Sequence, residues 1–412
     1  MITVGCHAVI QKVGGEHIRI CKLNKKQNIL IEKLRFQIDG AFDQPFGLFE
    51  VSAGKLTRAS PEALVLNSDV ADIELQDTAS YIGHSSDTHS NGAELLEEGD
   101  EPINAAQTRQ KVTREEISRM KDTGVTAGEL VAKLIDGSVS FADRTIYSQN
   151  KYIRRKTNKH SNRVLILKPT VRLIAESYYK KDAERIANLR IDLLSYMLTM
   201  SGIVSGSKCL VFEQCLGLLT AAVLDRLGGK GACIHLHRGE IAQSVPCVQS
   251  MDFTKEVYLA FYPLRISTLL KGHVCETSEN QSKEEEVLDK FNQELVRTRR
   301  LERLNREKEA YQIFKNNEVQ SILVVVHSVD PIDVLERTWD SLCLSGRIVV
   351  YSTIQEPLFD VYRWVKSKGA VHVQLCDAFF RSYQVLPDRT RPTMSQIVAG
   401  GYVLSGIKVS LT

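Results

Sequence analysis

The stretch Leu210-Val-Phe-Glu-Gln-Cys-Leu-Gly-Leu-Leu-Thr-Ala-Ala-Val-Leu-Asp-Arg-Leu-Gly-Gly-Lys-Gly-Ala-Cys-Ile-His-Leu-His237 decides how the rest of the chain is read. It runs as strand, turn, helix and strand, the opening of a doubly wound α/β sheet. In a Rossmann-type unit the first strand feeds a glycine-rich turn, because cofactor atoms approach bare backbone and some turn residues need positive φ. Here Glu213 ends the strand and Gly217 stands four positions on, while Gln214, Cys215, Leu216 and Leu218 occupy the rest. Their side chains fill the space over the turn. The second strand, Ile234-His235-Leu236-His237, offers no carboxylate to hydrogen-bond a ribose; the next acid is Glu240. A shape kept without two linked parts of its chemistry predicts a chain that binds rather than reacts, although a glycine-poor strand, turn and helix alone proves only fold class.

The 412 residues, 43% of them hydrophobic, suffice for two domains of unequal size. With a net charge of only +3, any basic function must come from local clustering. Nine cysteines, scattered and without C-x-x-C spacing, argue against a disulfide scaffold or a zinc site and for buried thiols in a reducing compartment. The start, Met1-Ile-Thr-Val-Gly-Cys-His7, has no signal-peptide pattern, and no apolar run nears the roughly 20 residues of a membrane helix. A soluble intracellular protein with no membrane partner and no metal is expected.

Residues 1–76 carry short β-branched runs punctuated by glycines, the pattern of a small barrel-like β domain. Residues 77–110 turn polar and acidic and are expected to be a flexible linker. A helical basic connector spans 111–168, with capping boxes at Thr113-Arg-Glu-Glu116 and Thr126-Ala-Gly-Glu129 and a third helix through Phe141 to about Lys156. From 169 to 412, helices alternate with apolar runs at 209–212, 232–236, 257–260, 322–326, 347–351 and 371–375, which implies a mostly parallel sheet covered on both faces. The segments 382–386 and 400–409 are too close for a crossover helix and should add an antiparallel edge. A charged insertion at 282–316 reads as a long solvated helix whose basic middle, Arg297 to Arg306, is an alternative nucleic-acid contact.

Seven Lys and Arg and no acid lie between Lys151 and Lys168, the footprint of a phosphate-binding face. Its cations are Lys151, Arg154, Arg155, Lys156, Lys159, Arg163 and Lys168; Tyr152 and His160 offer stacking or hydrogen bonding. A catalytic carboxylate would be sought beyond the strand ending at Val326. There Asp330 precedes Pro331, a residue suited to the first helical position, so capping by Asp330 outweighs a role as base; Asp333 suits the helix dipole. His327 reads equally as a packed residue or a ligand.

Several segments together resemble one family, the non-catalytic, RNA-binding subunit of the eukaryotic tRNA methyltransferase that modifies N1 of the T-loop adenine 58. They are Val112 to Gly124, Phe141-Ala-Asp-Arg-Thr-Ile-Tyr-Ser-Gln-Asn-Lys-Tyr-Ile-Arg-Arg-Lys156, Lys168-Pro-Thr170, Arg190 to Leu198, Arg381-Ser-Tyr-Gln-Val-Leu-Pro-Asp-Arg-Thr-Arg-Pro392 and Gly400-Gly-Tyr-Val-Leu-Ser-Gly406. The resemblance implies a methyltransferase-like Rossmann domain behind the amino-terminal β domain, no cofactor on this chain, and S-adenosylmethionine on a homologous catalytic subunit in a two-plus-two heterotetramer. It implies tRNA binding, adds Arg381, Arg389 and Arg391 to the RNA-facing cations, and suggests residence in the nucleus. Arg391 stands where the family has histidine. The competing readings are an active S-adenosylmethionine-dependent RNA methyltransferase using Asp330, and a plain protein scaffold.

Overall fold

Alternation of buried and exposed side chains builds the first sheet, since successive residues of a strand point to opposite faces. Strands β1 (His7–Lys12), β2 (Ile18–Lys22), β3 (Asn28–Ile31), β4 (Leu34–Gln37), β5 (Gly47–Ser52) and β6 (Lys55–Arg58) come from the first sixty residues. Ile29 and Ile31, Phe36, Phe49 and Val51, and Leu56 are the inward residues of β3 to β6. The sheet order is β2-β1-β7-β5-β6-β4-β3. An interior strand of it, β7 (Arg163–Leu167), pairs with both β1 and β5. Ile10 on β1 and Ile29 near the opposite edge share one core with Val164 and Ile166, so the sheet curls into a nearly closed barrel.

The β domain is therefore not contiguous: the last residues assigned from sequence to the basic connector complete the barrel. The run Arg163-Val-Leu-Ile-Leu167 alternates as a strand does, but the charges around it mask the period. The structure, a computed structural model, describes residues 1–15, 17–59, 111–123, 125, 127–142, 144–239, 244–274, 290–386, 389–394 and 400–409. It divides into two compact units, Met1–Lys168 and Pro169–Thr412. The expected acidic linker falls outside the described residues.

Among the described residues, three helices lie between β6 and β7. At α1 (Arg114–Asp122), Thr113 N donates to Glu116 Oε2 at 2.9 Å and Glu116 N donates to Thr113 Oγ1 at 3.3 Å, the reciprocal capping box. α2 (Ala127–Asp136) buries Leu130, Val131 and Leu134; Thr126 of its expected box is outside the described residues. α3 (Ile146–His160) starts later than the sequence suggests, because Thr145 is its cap and accepts from Ser148 N.

The second unit contains α4 (Val171–Asp182), α5 (Ile191–Ser201), β8 (Lys208–Glu213), α6 (Leu218–Leu227), β9 (Ala232–His237), α7 (Pro246–Ser250), α8 (Lys255–Leu259), β10 (Phe261–Arg265) and α9 (Ile266–Lys271). It continues with α10 (Lys290–Lys315), β11 (Val319–Val325), α11 (Pro331–Thr338), β12 (Leu342–Ser352), α12 (Glu356–Ser367), β13 (Val371–Asp377), β14 (Tyr383–Leu386), β15 (Arg389–Pro392) and β16 (Tyr402–Ile407). The large sheet has the order β10-β9-β8-β11-β12-β16-β13. Strands β8 to β12 are parallel and nearly all apolar, as burial on both faces requires. β16 runs antiparallel to β12 and β13, giving the expected antiparallel edge.

Two details differ from expectation. The apolar run at 257–260 belongs mainly to α8, and the strand begins at Phe261; Pro263 is tolerated there because β10 is an edge strand. The 382–386 segment does not join the large sheet. It pairs with β15 in a separate hairpin, since a partner two residues away closes a ladder at far lower entropic cost than a distant edge. No helix among the described residues is long and apolar enough to cross a membrane, and none of them form a metal-ligating cluster.

Candidate functional site

The sheet changes direction between β8 and β11, the switch point where α/β sheets open a crevice for ligands at the carboxyl ends of their strands. In this chain protein atoms close that crevice. Gln214, the first residue beyond β8, donates its backbone N–H to Val325 O at 3.0 Å. Its Oε1 accepts from His327 N at 2.8 Å and Ser328 N at 3.0 Å, and its Nε2 donates to Ser328 Oγ at 3.0 Å. One side chain thus satisfies the loose donors of β11 and ties the two strand ends together. His327 is exposed rather than packed, and contributes its backbone to this strut.

Glu213 points the other way, into the start of α6. Its buried carboxylate accepts from Leu219 N at 3.1 Å, Thr220 N at 2.9 Å, the Thr220 hydroxyl and the Cys215 thiol at 2.7 Å. An anion is favoured there by the unpaired N–H groups of the helix start. Burial, and then the Glu213 charge, push the Cys215 thiol well above its ordinary range, so it stays protonated and donates. Gly217 has φ +81° and caps α6; a Cβ there would lie 2.7 Å from Val245 Cβ, so the turn admits only glycine while Val245 roofs it.

On the second strand, His235 lines the space beside the turn. Its Nδ1 lies 2.9 Å from Thr220 Oγ1. Because that hydroxyl donates to Glu213, the histidine must donate to Thr220; burial lowers its pKa against the pull of Glu213 and keeps it neutral. Burial, reinforced by His235, lowers the His237 pKa to about 4. Glu240 lies outside the described residues. The space left between Glu213, Gln214, Leu216, Gly217, His235, Ser244 and Val245 is about 200 Å³. Small-molecule sites generally need about 300–1,000 Å³. The residues present do not fit S-adenosylmethionine: the bare-backbone turn is roofed, the strand-end donors are taken, and the second strand offers the imidazoles of His235 and His237 in place of a ribose-binding carboxylate.

Asp330 is the cap of α11: it accepts from Ile332 N at 2.9 Å, and Pro331 occupies the first turn. Its bond partner is the helix backbone, the arrangement of a cap.

The basic cluster is carried by α3. Gln149 Nε2 donates to Phe141 O and Arg144 O, both at 3.1 Å, fixing the loop that leads into the helix. Tyr152 then packs against Phe141, ring centroids 5.7 Å apart, and carries Arg144 at 4.9 Å and Lys156 at 5.2 Å over its ring. Tyr152 is thus a platform for cations. The Lys156 pKa is lowered by burial and by Lys159, Arg155 and Arg144, the signature of a concentrated positive potential. At the far end, the Lys12 ammonium of the barrel donates to Lys159 O at 3.2 Å and pairs with Glu32 at 3.5 Å. Lys159 and Lys168 are exposed, Arg155 is exposed, and His160 and Arg163 are half-buried. The side chains of Lys151 and Arg154 are outside the described set.

Arg381 and Arg391 are exposed in the second unit at the β14–β15 hairpin, where Gln384 faces Arg391 and Leu386 faces Arg389; the Arg389 side chain is not described. The expected cations therefore form two groups on separate units. Sequence reasoning missed Arg144, which adds to the α3 cluster, and Lys12, which anchors it; the Gln149 and Tyr152 spacing one helical turn apart was the available signal for the first. It also missed an apolar surface beside the hairpin, with Phe379 74%, Tyr383 55% and Val385 75% exposed.

A methyltransferase-type sheet with a self-filled crevice and a basic helix defines a binding member of a catalytic fold class. The chain belongs to the Gcd10p family, whose family model matches residues 1–299. It is 29% identical over 438 residues to a Dictyostelium discoideum protein named tRNA (adenine(58)-N(1))-methyltransferase non-catalytic subunit trm6, covering 100% of this chain and 80% of that one. The Mus musculus protein of the same description is 27% identical, with 94% and 85% covered. Among solved structures, a SAM-dependent O-methyltransferase from Thermotoga maritima superposes with a TM-score of 0.53 at 10% identity over 100% of this chain and 96% of that one, a likeness of fold.

Proposed function

We infer that this chain is the non-catalytic subunit of a tRNA (adenine-58-N1) methyltransferase, holding tRNA and supporting a catalytic partner. The observation that carries the reading is Gln214 bound across the β8–β11 switch point, in a chain of the Gcd10p family. A crevice occupied in this way leaves methyl transfer to another polypeptide. S-adenosylmethionine then belongs to a homologous catalytic subunit, and the assembly proposed from the family likeness is a two-plus-two heterotetramer. The exposed apolar residues Phe379, Tyr383 and Val385 are the surface proposed for that partner, because a patch bearing aromatic anchors needs cover in the assembly.

Capture of tRNA is assigned to Arg155, Lys156, Lys159 and Lys168, with Lys151, Arg154, His160 and Arg163 in the same segment and Arg381, Arg389 and Arg391 on the hairpin. Tyr152 supports them by holding Arg144 and Lys156 in place. Since tRNA matures in the nucleus, the assembly is placed there. The decisive experiment titrates S-adenosylmethionine into the isolated chain by calorimetry and measures methyl transfer to tRNA with and without the catalytic subunit. No heat from the chain alone and transfer only by the complex are expected. Turnover by this chain alone would sink the proposal.

A further inference from the structure

The charged insertion provides a surface the tRNA reading has not used. The lower half of α10 packs on the large sheet: Ala310 is buried, and Tyr311, Ile313 and Phe314 lie against the core. Two residues lock it there. Glu307 accepts from Arg265 Nε at 2.8 Å and from the Thr268 hydroxyl at 2.6 Å, and Arg306 donates to Tyr258 O at 3.2 Å. Above Arg306 the packing stops. None of the described side chains from Glu294 to Asn305 is buried, and Leu301 is 60% exposed.

The stripe that packs below continues above, with a change of chemistry. Residues 299, 303, 306, 310 and 314 are spaced by three or four, so they share one helix face. On that face Phe314 and Ala310 meet the core, Arg306 meets the carbonyls of Tyr258 and Phe261, and Arg303 and Arg299 meet solvent. Arginines at i and i+4 repel one another on an uncovered helix. Between Val296 and Arg306 there are five arginines and one acid, Glu302. A merely solvated helix would alternate its signs along this face, and a protein-binding helix would carry the apolar stripe onward. A run of guanidinium groups suits phosphates, which the planar fork binds through paired hydrogen bonds.

We propose that the upper half of α10 is a phosphate-gripping arm for tRNA, about 24 Å long from Lys290 to Arg306 at 1.5 Å per residue, with Arg299 and Arg303 as its contact residues. The inference rests on the tRNA reading above, and adds a grip contributed by the second unit. Arg306 and Glu307 act as its root.

The test uses the assembled complex with the catalytic subunit. Arg299→Glu with Arg303→Glu, both on exposed positions, is compared with Arg155→Glu and Lys159→Glu on α3 by measuring tRNA affinity against salt. Reversal on the arm is expected to weaken binding about tenfold and to make the salt slope shallower by about two, one per lost phosphate contact; Arg299→Lys with Arg303→Lys should keep most of the slope. If reversal on the arm changes nothing while reversal on α3 weakens binding, the arm is wrong and the tRNA reading survives. If neither matters, both fall. Loss of subunit assembly with an unaltered salt slope would make the arm a protein contact and overturn the proposal.

Discussion

The crevice at the end of β8 and the face of α3 invert one another. In the crevice the key polar groups are tied to the protein itself: Glu213 by four donors, Gln214 by two strand-end amides, His235 by Thr220. On α3 the charges are gathered in a run of sequence without acids, with Arg144 and Lys156 packed over the Tyr152 ring. A ligand site needs unsatisfied groups held in place at some cost in stability. By that standard the crevice has become structure, and α3 is the site proposed for RNA. Substitutions should separate the two: in the crevice they move stability, on α3 they move binding.

The largest effect is expected at Glu213. Glu213→Ala strands Leu219 N, Thr220 N and a hydroxyl in the buried start of α6, and loss of a buried hydrogen-bonded charge should cost about 3–5 kcal/mol. Thermal unfolding should then shift by on the order of 10 °C. A melting point left where it was would mean the network is not what holds the turn. Next comes Arg155→Glu with Lys159→Glu, for which tRNA affinity should drop by at least about tenfold and the salt slope by about two, with unfolding unchanged. A stability loss in its place would make α3 another strut.

Much of this contrast was legible in the chain. The missing glycines between Glu213 and Leu218 and the absence of acids between Lys151 and Lys168 are compositional facts that no tertiary contact can undo. The cap at Asp330 was legible too, because a proline in the first helical turn leaves the preceding aspartate little else to do. What stayed hidden depends on distant partners. β7 is a strand because β1 and β5 flank it, although its neighbours in sequence are basic and helical. Gln214 is a strut because residues more than a hundred positions on bring two amides to it. The hairpin of β14 and β15 left the sheet because a nearer partner was available, which alternation within a strand does not reveal.

A smaller effect sharpens the comparison from the crevice side. Gln214→Ala removes the acceptor for two strand-end amides that water can partly replace, since the site is only half-buried; a cost of about 1–2 kcal/mol is expected. The same variant should still give no calorimetric signal with S-adenosylmethionine, because Val245 roofs the turn and the second strand ends in histidines rather than a carboxylate. Micromolar binding after this one change would show that a single side chain had been keeping a working crevice shut.

The smallest expected change is at Asp330, and it bears on the rival reading that makes this aspartate a base. Asp330→Ala removes one cap bond to Ile332 N from an exposed position, a loss of about 1 kcal/mol by the usual worth of such caps. In a unit of this size that lowers the melting point by about 2–4 °C. Asp330→Ser retains an acceptor for the same N–H, so it should restore most of the loss while removing any carboxylate chemistry. Methyl transfer by the assembled complex should be the same for all three proteins, because the side chain serves the helix and the reaction proceeds on the partner. The opposite pattern, unchanged melting with turnover abolished in both variants, would return the aspartate to catalysis and erase the difference between the two regions.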